Sequence, residues 1–170
     1  MTKYRVIRWF AYVLEIIVIF VLQETPGLLP ELWGARPVAV IPAVLSIAMF
    51  ESRGPAMAFG LFGGLLIDFG FGGVLGFHGL LLAAACYAVS LMAEDLFRTN
   101  LLTALLISAV VTAAAVLLEW TCFYVLRGYS EEGYALTAHY LPMFCYTAAL
   151  MPVTYYFNRA LATQIRSKEE

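Results

Sequence analysis

The sequence predicts an all-α polytopic membrane protein with six transmembrane helices in a single domain that covers residues 1–170. Hydrophobic residues make up 62% of the chain and charged residues only 13%, which is more apolar surface than a soluble domain of this size can bury. The apolar residues form runs of 14 to 26 residues, and a transmembrane helix needs roughly 20. The six runs cover residues 7–22, 37–50, 55–71, 77–92, 101–126 and 140–157.

The first run follows a basic N-terminal stretch, as the apolar part of a secretory signal peptide would. However, the run is long, it contains Glu15, and no small-residue cleavage site follows it. We therefore expect it to remain as the first span. The next runs are joined by short polar connections such as "ESRG" and "EDLFRTN", and the shorter runs need flanking residues to complete a crossing.

The positions of Lys and Arg predict the orientation of the spans. Eight of the ten fall on segments that share a side with the N-terminus, and only Arg36 and Arg127 fall on the opposite side. Because cytoplasmic segments carry the excess of positive charge, both termini are expected in the cytoplasm.

Several classes of function have no support in the sequence. HExxH, GxSxG and P-loop motifs are absent, so no enzyme is expected. Three cysteines stand singly, and the two histidines have no metal-ligand spacing with the nearby acids, so neither a metal site nor a cofactor is expected. No basic stripe points to nucleic acid.

Three glycines in the third run form a surface of small residues. Gly60 and Gly64 make a GxxxG pair on one helix face, and Gly63 widens it. Small residues let two membrane helices approach closely, where van der Waals contact holds them together. This surface packs either on another span of the chain or on the helix of a partner, and the partner interface is the functional prediction.

A second group surrounds a glycine-rich turn between the third and fourth runs. Asp68 lies four residues after Gly64, on the same face, and Gly73 and Gly76 allow a tight turn before His78. Asp68 and His78 could therefore meet across the turn. A charged Asp in a membrane helix must be paired, protonated or near water. The group is either a structural polar clasp or a site for a proton or ligand.

Two further acids lie inside apolar runs. Glu15 falls near the middle of the first run, with no Lys or Arg at a similar depth, and Glu119 falls near the outer end of the fifth. Buried acids of this kind are protonated or bound to polar groups, and each is a candidate functional residue.

The order of several short motifs resembles the MreD family, the rod shape-determining membrane proteins of bacteria. Family members carry a similar "LQ-T" after the first span, "G-x-x-P" before the second, "GLL-x-D" before a glycine-rich turn, and "G-[FL]-H/Y" at the start of the fourth. The corresponding residues here are Leu22, Gln23, Thr25, Gly34, Pro37, Gly64, Leu65, Leu66, Asp68, Gly76, Phe77 and His78.

This resemblance implies a non-enzymatic scaffold or regulator of cell elongation and peptidoglycan synthesis in the bacterial cytoplasmic membrane. It implies association with an MreC-like protein, which has a single membrane span and an outer domain. It also implies that the protein works alongside the MreB filament and the peptidoglycan glycosyltransferase–transpeptidase pair, with lipid around its helices. The implied fold is similar to the substrate-binding subunits of energy-coupling-factor transporters.

The implied fold leaves an alternative function open, that of a substrate-binding subunit of an energy-coupling-factor-type vitamin transporter. Such subunits commonly carry an AxxxA-type face on the first span, where they bind the coupling partner. The first run here has one alanine, Ala11, among bulky residues, which favours the cell-shape interpretation.

Overall fold

The structure is a computed structural model that describes residues 3–31, 34–71, 74–95, 100–126, 134 and 136–166. The regular elements in these residues are helices, so the predicted all-α class is confirmed. Two π-helical turns accompany them: Thr121–Val125 continues the helix that ends at Trp120, and Leu136–Tyr140 leads into the helix that begins at Leu141. In chain order the helices are α1 (Lys3–Glu24), α2 (Val40–Ala48), α3 (Arg53–Phe71), α4 (Phe77–Asp95), α5 (Leu101–Trp120), α6 (Leu141–Ala149) and α7 (Met151–Arg166).

Fewer helices than predicted have the length and composition to cross a membrane. Three of the described helices meet that requirement, at Lys3–Glu24, Phe77–Glu94 and Leu101–Trp120. Six such helices were expected, and three are found in the described part of the chain. The second predicted span is the nine-residue α2, only about 14 Å long, and the third is α3, whose glycines and Asp68 reduce its apolar character.

The sixth predicted span is divided into α6 and α7 at Leu150. Pro152 has no N–H to donate to the carbonyl of Ala148, and its ring would collide with that carbonyl in a continuous helix. The chain instead makes tighter bonds, from Leu150 N to Thr147 O and from Val153 N to Leu150 O. A proline inside an apolar run thus produces two short helices.

The distribution of polar residues on α1 is the reverse of that on a soluble helix. Arg8, Glu15 and Gln23 are buried against the rest of the bundle, whereas Phe10 and Leu14 are exposed. α5 shows the same distribution. A bundle with polar groups inside and apolar side chains outside is suited to lipid, where polar groups must find partners within the protein.

α2 lies at the centre of the bundle. All nine of its residues are buried, and it packs against α1, α3, α4, α5, α6 and α7. Two N–H groups at its start are paired with side chains of other helices: Val38 N donates to Thr147 Oγ1 (3.0 Å) and Val40 N to Gln23 Oε1 (3.4 Å). These bonds satisfy donors that a helix cannot pair with its own carbonyls.

α3 and α4 form a closely packed hairpin, and glycines of α3 make the close approach possible. A Cβ atom at Gly60 would lie 2.5 Å from the carbonyl oxygen of Leu82, and one at Gly64 would collide with the carbonyl group of His78. Both glycines therefore face α4 of the same chain.

Gly63 faces the central helix, since a Cβ atom there would lie 2.6 Å from Val44 Cγ1. The surface of Gly60, Gly63 and Gly64 is thus occupied by α4 and α2. This corrects the expectation that these three glycines contact the helix of a partner: their close packing is internal to the chain, which was the other possibility that the GxxxG spacing left open.

Candidate functional site

The carboxylate of Asp68 binds the first turn of α4. Its Oδ2 accepts hydrogen bonds from Gly76 N (2.8 Å) and Gly79 N (3.2 Å), and its Oδ1 accepts from His78 N (3.0 Å). Gly76 has a φ of +96°, a conformation that glycine adopts without strain. Asp68 thus caps α4 from another helix, and an anion at this position also interacts favourably with the helix dipole.

The His78 ring completes the group, since Nδ1 lies 2.8 Å from Asp68 Oδ1. The structure therefore brings Asp68 and His78 together, whereas Gly73 lies outside the described residues. A carboxylate offers about four hydrogen-bonding positions, and the four contacts to Asp68 occupy them. Asp68 is also only 2% exposed. This geometry favours a structural clasp over a ligand site.

Glu119 of α5 lies on the far side of the His78 ring. Its Oε2 is 3.8 Å from His78 Nε2, and its side chain is partly exposed. His78 consequently lies between two carboxylates on two helices, α3 and α5. Among the described residues no group of three or more His, Cys, Asp and Glu side chains is arranged to hold a metal ion.

Glu15 belongs to a second buried cluster, midway along α1. Asn158 Nδ2 of α7 lies 2.8 Å from Glu15 Oε1 and 2.7 Å from Ser46 Oγ of α2. Ser46 Oγ in turn donates to the carbonyl of Ala43 at 2.8 Å. The cluster joins α1, α2 and α7, and Glu119 is not part of it.

A third polar cluster lies at the end of the bundle where α1 begins. Arg8 Nε is 2.5 Å from Glu51 Oε1, and Trp9 Nε1 donates to Glu51 Oε2 at 3.3 Å. The backbone carbonyl of Glu51 accepts from Ser90 Oγ at 2.6 Å. The two charged side chains are buried. The connection between α2 and α3 is thereby attached to both α1 and α4.

Sequence reasoning missed four of these residues. Asn158 binds both Glu15 and Ser46, and Arg8 and Glu51 form the buried ion pair. The amide of Asn158, directly after the last apolar run, was a signal, because an amide that is buried in such a position requires a partner. The predicted orientation also placed Arg8 and the "ESRG" connection on the same side of the membrane, although it did not show that they touch.

The fold and these contacts define a helical membrane protein in which the polar side chains of the three clusters bind one another across helices. The chain matches the family model of rod shape-determining protein MreD over residues 3–165. It therefore belongs to the MreD family, which is a family of shape-determining membrane proteins and not a known enzyme family. No curated protein and no solved structure matches the chain. The expected likeness to energy-coupling-factor subunits stays a prediction.

Proposed function

We propose that the protein is a non-enzymatic scaffold and regulator of the bacterial cell-elongation complex, which maintains cell shape by organising peptidoglycan synthesis. The family match over residues 3–165 carries this proposal. The pairing of buried polar side chains supports its non-enzymatic part. Asp68 contacts His78 and Arg8 contacts Glu51, so these four side chains bind other groups of the chain.

We also propose that the chain crosses the cytoplasmic membrane six times as one domain, with both termini in the cytoplasm. The charge asymmetry of the connections supports this topology. α2 would complete its crossing with flanking residues, and α6 and α7 would make one crossing together. Single cysteines at Glu131 and Glu169, in a background without native cysteines, test it with an impermeant thiol reagent on cells with permeabilised outer layers. Position 131 should react and position 169 should not, and the reverse result would overturn the orientation.

The proposed direct partner is an MreC-like protein with a single membrane span, bound through membrane helices. The MreB filament and the peptidoglycan glycosyltransferase–transpeptidase pair would work in the same complex. The exposed apolar faces of α1 and α5 support binding within the membrane.

The experiment has two measurements on cells in which the native gene is replaced by a tagged copy. Depletion of the protein should round the cells, and the MreC-like protein should co-purify from detergent-solubilised membranes. Cells that keep their shape during depletion would overturn the proposed function. If depletion rounds the cells but the MreC-like protein does not co-purify, only the proposal of this partner would be overturned.

A further inference from the structure

An apolar groove of about 590 Å³ lies between α1 and α3 on the outside of the bundle. It begins at Val6 and Gly54, close to the first residues of the two helices, and it reaches Val13 and Phe59. At 1.5 Å per residue, it extends about 10 Å along α1. The hydrocarbon of one leaflet is about 15 Å deep, so a groove of this length lies within one half of the membrane. The lining residues are Val6, Trp9, Phe10, Val13, Gly54, Pro55, Ala58 and Phe59.

Contacts with the rest of the bundle hold two aromatic side chains of this groove in place. Trp9 Nε1 donates to Glu51 Oε2 at 3.3 Å, and the ring of Phe59 packs edge-on against Tyr12 with 5.6 Å between their centroids. Phe10, in contrast, is 70% exposed. The groove is thus preformed, and its walls offer apolar contact to the surrounding membrane.

Two exposed cations lie at the end of the groove, in the first turn of α1. Lys3 precedes Val6 by three positions, and Arg5 precedes Trp9 by four. Because residues three or four apart are neighbours on a helix surface, each cation lies about one turn before a side chain that lines the groove. The apolar groove therefore ends in positive charge.

The carboxylates at this end of the bundle are bound by other cations. Glu51 is buried against Arg8, and Glu94 Oε2 lies 2.8 Å from Arg53 Nε. Within the described part of the chain, neither of the two cations in the first turn of α1 has an ion-pair partner. Their charge is consequently available to a ligand.

We infer that this groove binds an anionic phospholipid, with an acyl chain between α1 and α3 and the phosphate at Lys3 and Arg5. Such a lipid matches both parts of the surface, since its hydrocarbon contacts the apolar walls and its charge meets the cations. Both cations are exposed, so the headgroup reaches them without entering the groove. The inference goes beyond the proposed function and does not depend on the proposed protein partner.

A protein helix fits the same surface less well. In the proposed topology this end of the bundle is cytoplasmic, where a partner helix also carries an excess of Lys and Arg. A second copy that packed through this face would bring another Lys3 and Arg5 to the same place. In both cases like charges would meet, whereas an anionic lipid brings opposite charge.

Quenching of Trp9 fluorescence by brominated lipid tests the inference in the full-length chain. Trp33→Phe and Trp120→Phe leave Trp9 as the only tryptophan. The protein is reconstituted in mixed bilayers of phosphatidylglycerol and phosphatidylcholine at equal mole fractions, and either one lipid or the other carries bromine on its acyl chains. The groove should bind phosphatidylglycerol about five- to thirtyfold more tightly, which is the range expected for one or two cations near the membrane surface.

Two pairs of variants separate binding in the groove from general attraction of anionic lipid. Lys3→Gln combined with Arg5→Gln should reduce the preference to less than about twofold, whereas Arg159→Gln, which removes an exposed cation of α7, should leave it unchanged. Ala58→Phe fills the groove from an exposed position and should also remove the preference. Its control is Met57→Phe, on an exposed neighbouring residue outside the groove, which should not.

Four results would overturn the inference. Equal quenching by the two brominated lipids would mean that the groove does not select charge, and a preference that survives Ala58→Phe would mean that anionic lipid collects around the cations without entering the groove. Quenching by neither lipid would show that a second copy covers the groove. Loss of the co-purified MreC-like protein from Ala58→Phe cells, at matched expression, would assign the groove to that partner.

A charge-conserving variant guards against an effect of misfolding. Lys3→Arg combined with Arg5→Lys keeps both positive charges and should keep the preference for phosphatidylglycerol. Loss of the preference in this variant would count against the proposed electrostatic recognition. The lipid assay contains no partner protein, so failure of the proposed function would leave its result unaffected.

Discussion

Replacing Asp68 by leucine should destabilise the protein because the first turn of α4 would lose its acceptor. The N–H groups of His78 and Gly79 are buried, and both donate to the Asp68 carboxylate. A buried donor without a partner costs about 1–3 kcal/mol, so two such donors cost about 2–6 kcal/mol. Asp68→Asn should cost less. Its amide oxygen can still accept hydrogen bonds on one side, whereas its amide nitrogen cannot accept from the N–H groups on the other side.

The assay is thermal denaturation in detergent, followed by the fluorescence of a thiol-reactive dye. A chain of this size changes its Tm by about 2–4 °C per kcal/mol, so Asp68→Leu should lower the Tm by at least about 4 °C. Asp68→Asn should fall between Asp68→Leu and wild type. Phe69→Leu is the matched control, because its side chain is 76% exposed on the next residue of the same helix.

Two results would refute this reasoning. Asp68→Leu could unfold at the wild-type temperature, which would mean that the four hydrogen bonds contribute nothing to stability. Alternatively, Asp68→Leu and Asp68→Asn could lose the same amount, which would mean that the acceptor oxygen does not matter. Unchanged Tm values combined with loss of cell shape would instead assign Asp68 to a ligand or partner site.

Two further changes test the packing and the buried ion pair by the same denaturation assay. Gly60→Ala should cost about 1–3 kcal/mol of stability because its Cβ would overlap the carbonyl oxygen of Leu82. The control Gly54→Ala has no atom within 4 Å of its Cβ and should change stability by less than about 0.5 kcal/mol. Equal losses would contradict the packing of α3 on α4. Arg8→Met leaves the Glu51 carboxylate buried and should cost about 3–5 kcal/mol, and adding Glu51→Gln should recover part of that loss. A double variant no more stable than Arg8→Met would show that the two charges are not coupled.

Local relations in the sequence were sufficient to predict part of the candidate site. Asp68 and His78 are ten residues apart, with a glycine-rich turn between them, so the turn alone brings the two side chains near each other. The all-α class could also be predicted from the sequence, because long apolar runs in a membrane must pair their own backbone N–H and C=O groups, as a helix does. In both cases the relevant partners are close in sequence.

The relations that sequence reasoning missed join distant segments. Glu15 and Asn158 are 143 residues apart, and no periodicity in either helix indicates that they meet. The GxxxG spacing of Gly60 and Gly64 indicated a close helix contact but not which helix makes it. The apolar run at residues 140–157 indicated one helix, whereas the chain forms two helices that meet at Leu150, beside Pro152.

The central position of α2 has a consequence for how the protein is made. Several polar atoms in α2 and just before it are bound by residues that the ribosome adds 109 to 112 positions later: Val38 N by Thr147, the carbonyl of Pro42 by Thr154, and Ser46 Oγ by Asn158. During synthesis, α2 must therefore enter the bilayer before these partners exist. A short, proline-containing helix has to be sheltered until the segment that carries Thr147, Thr154 and Asn158 arrives, and the centre of the molecule is completed only then.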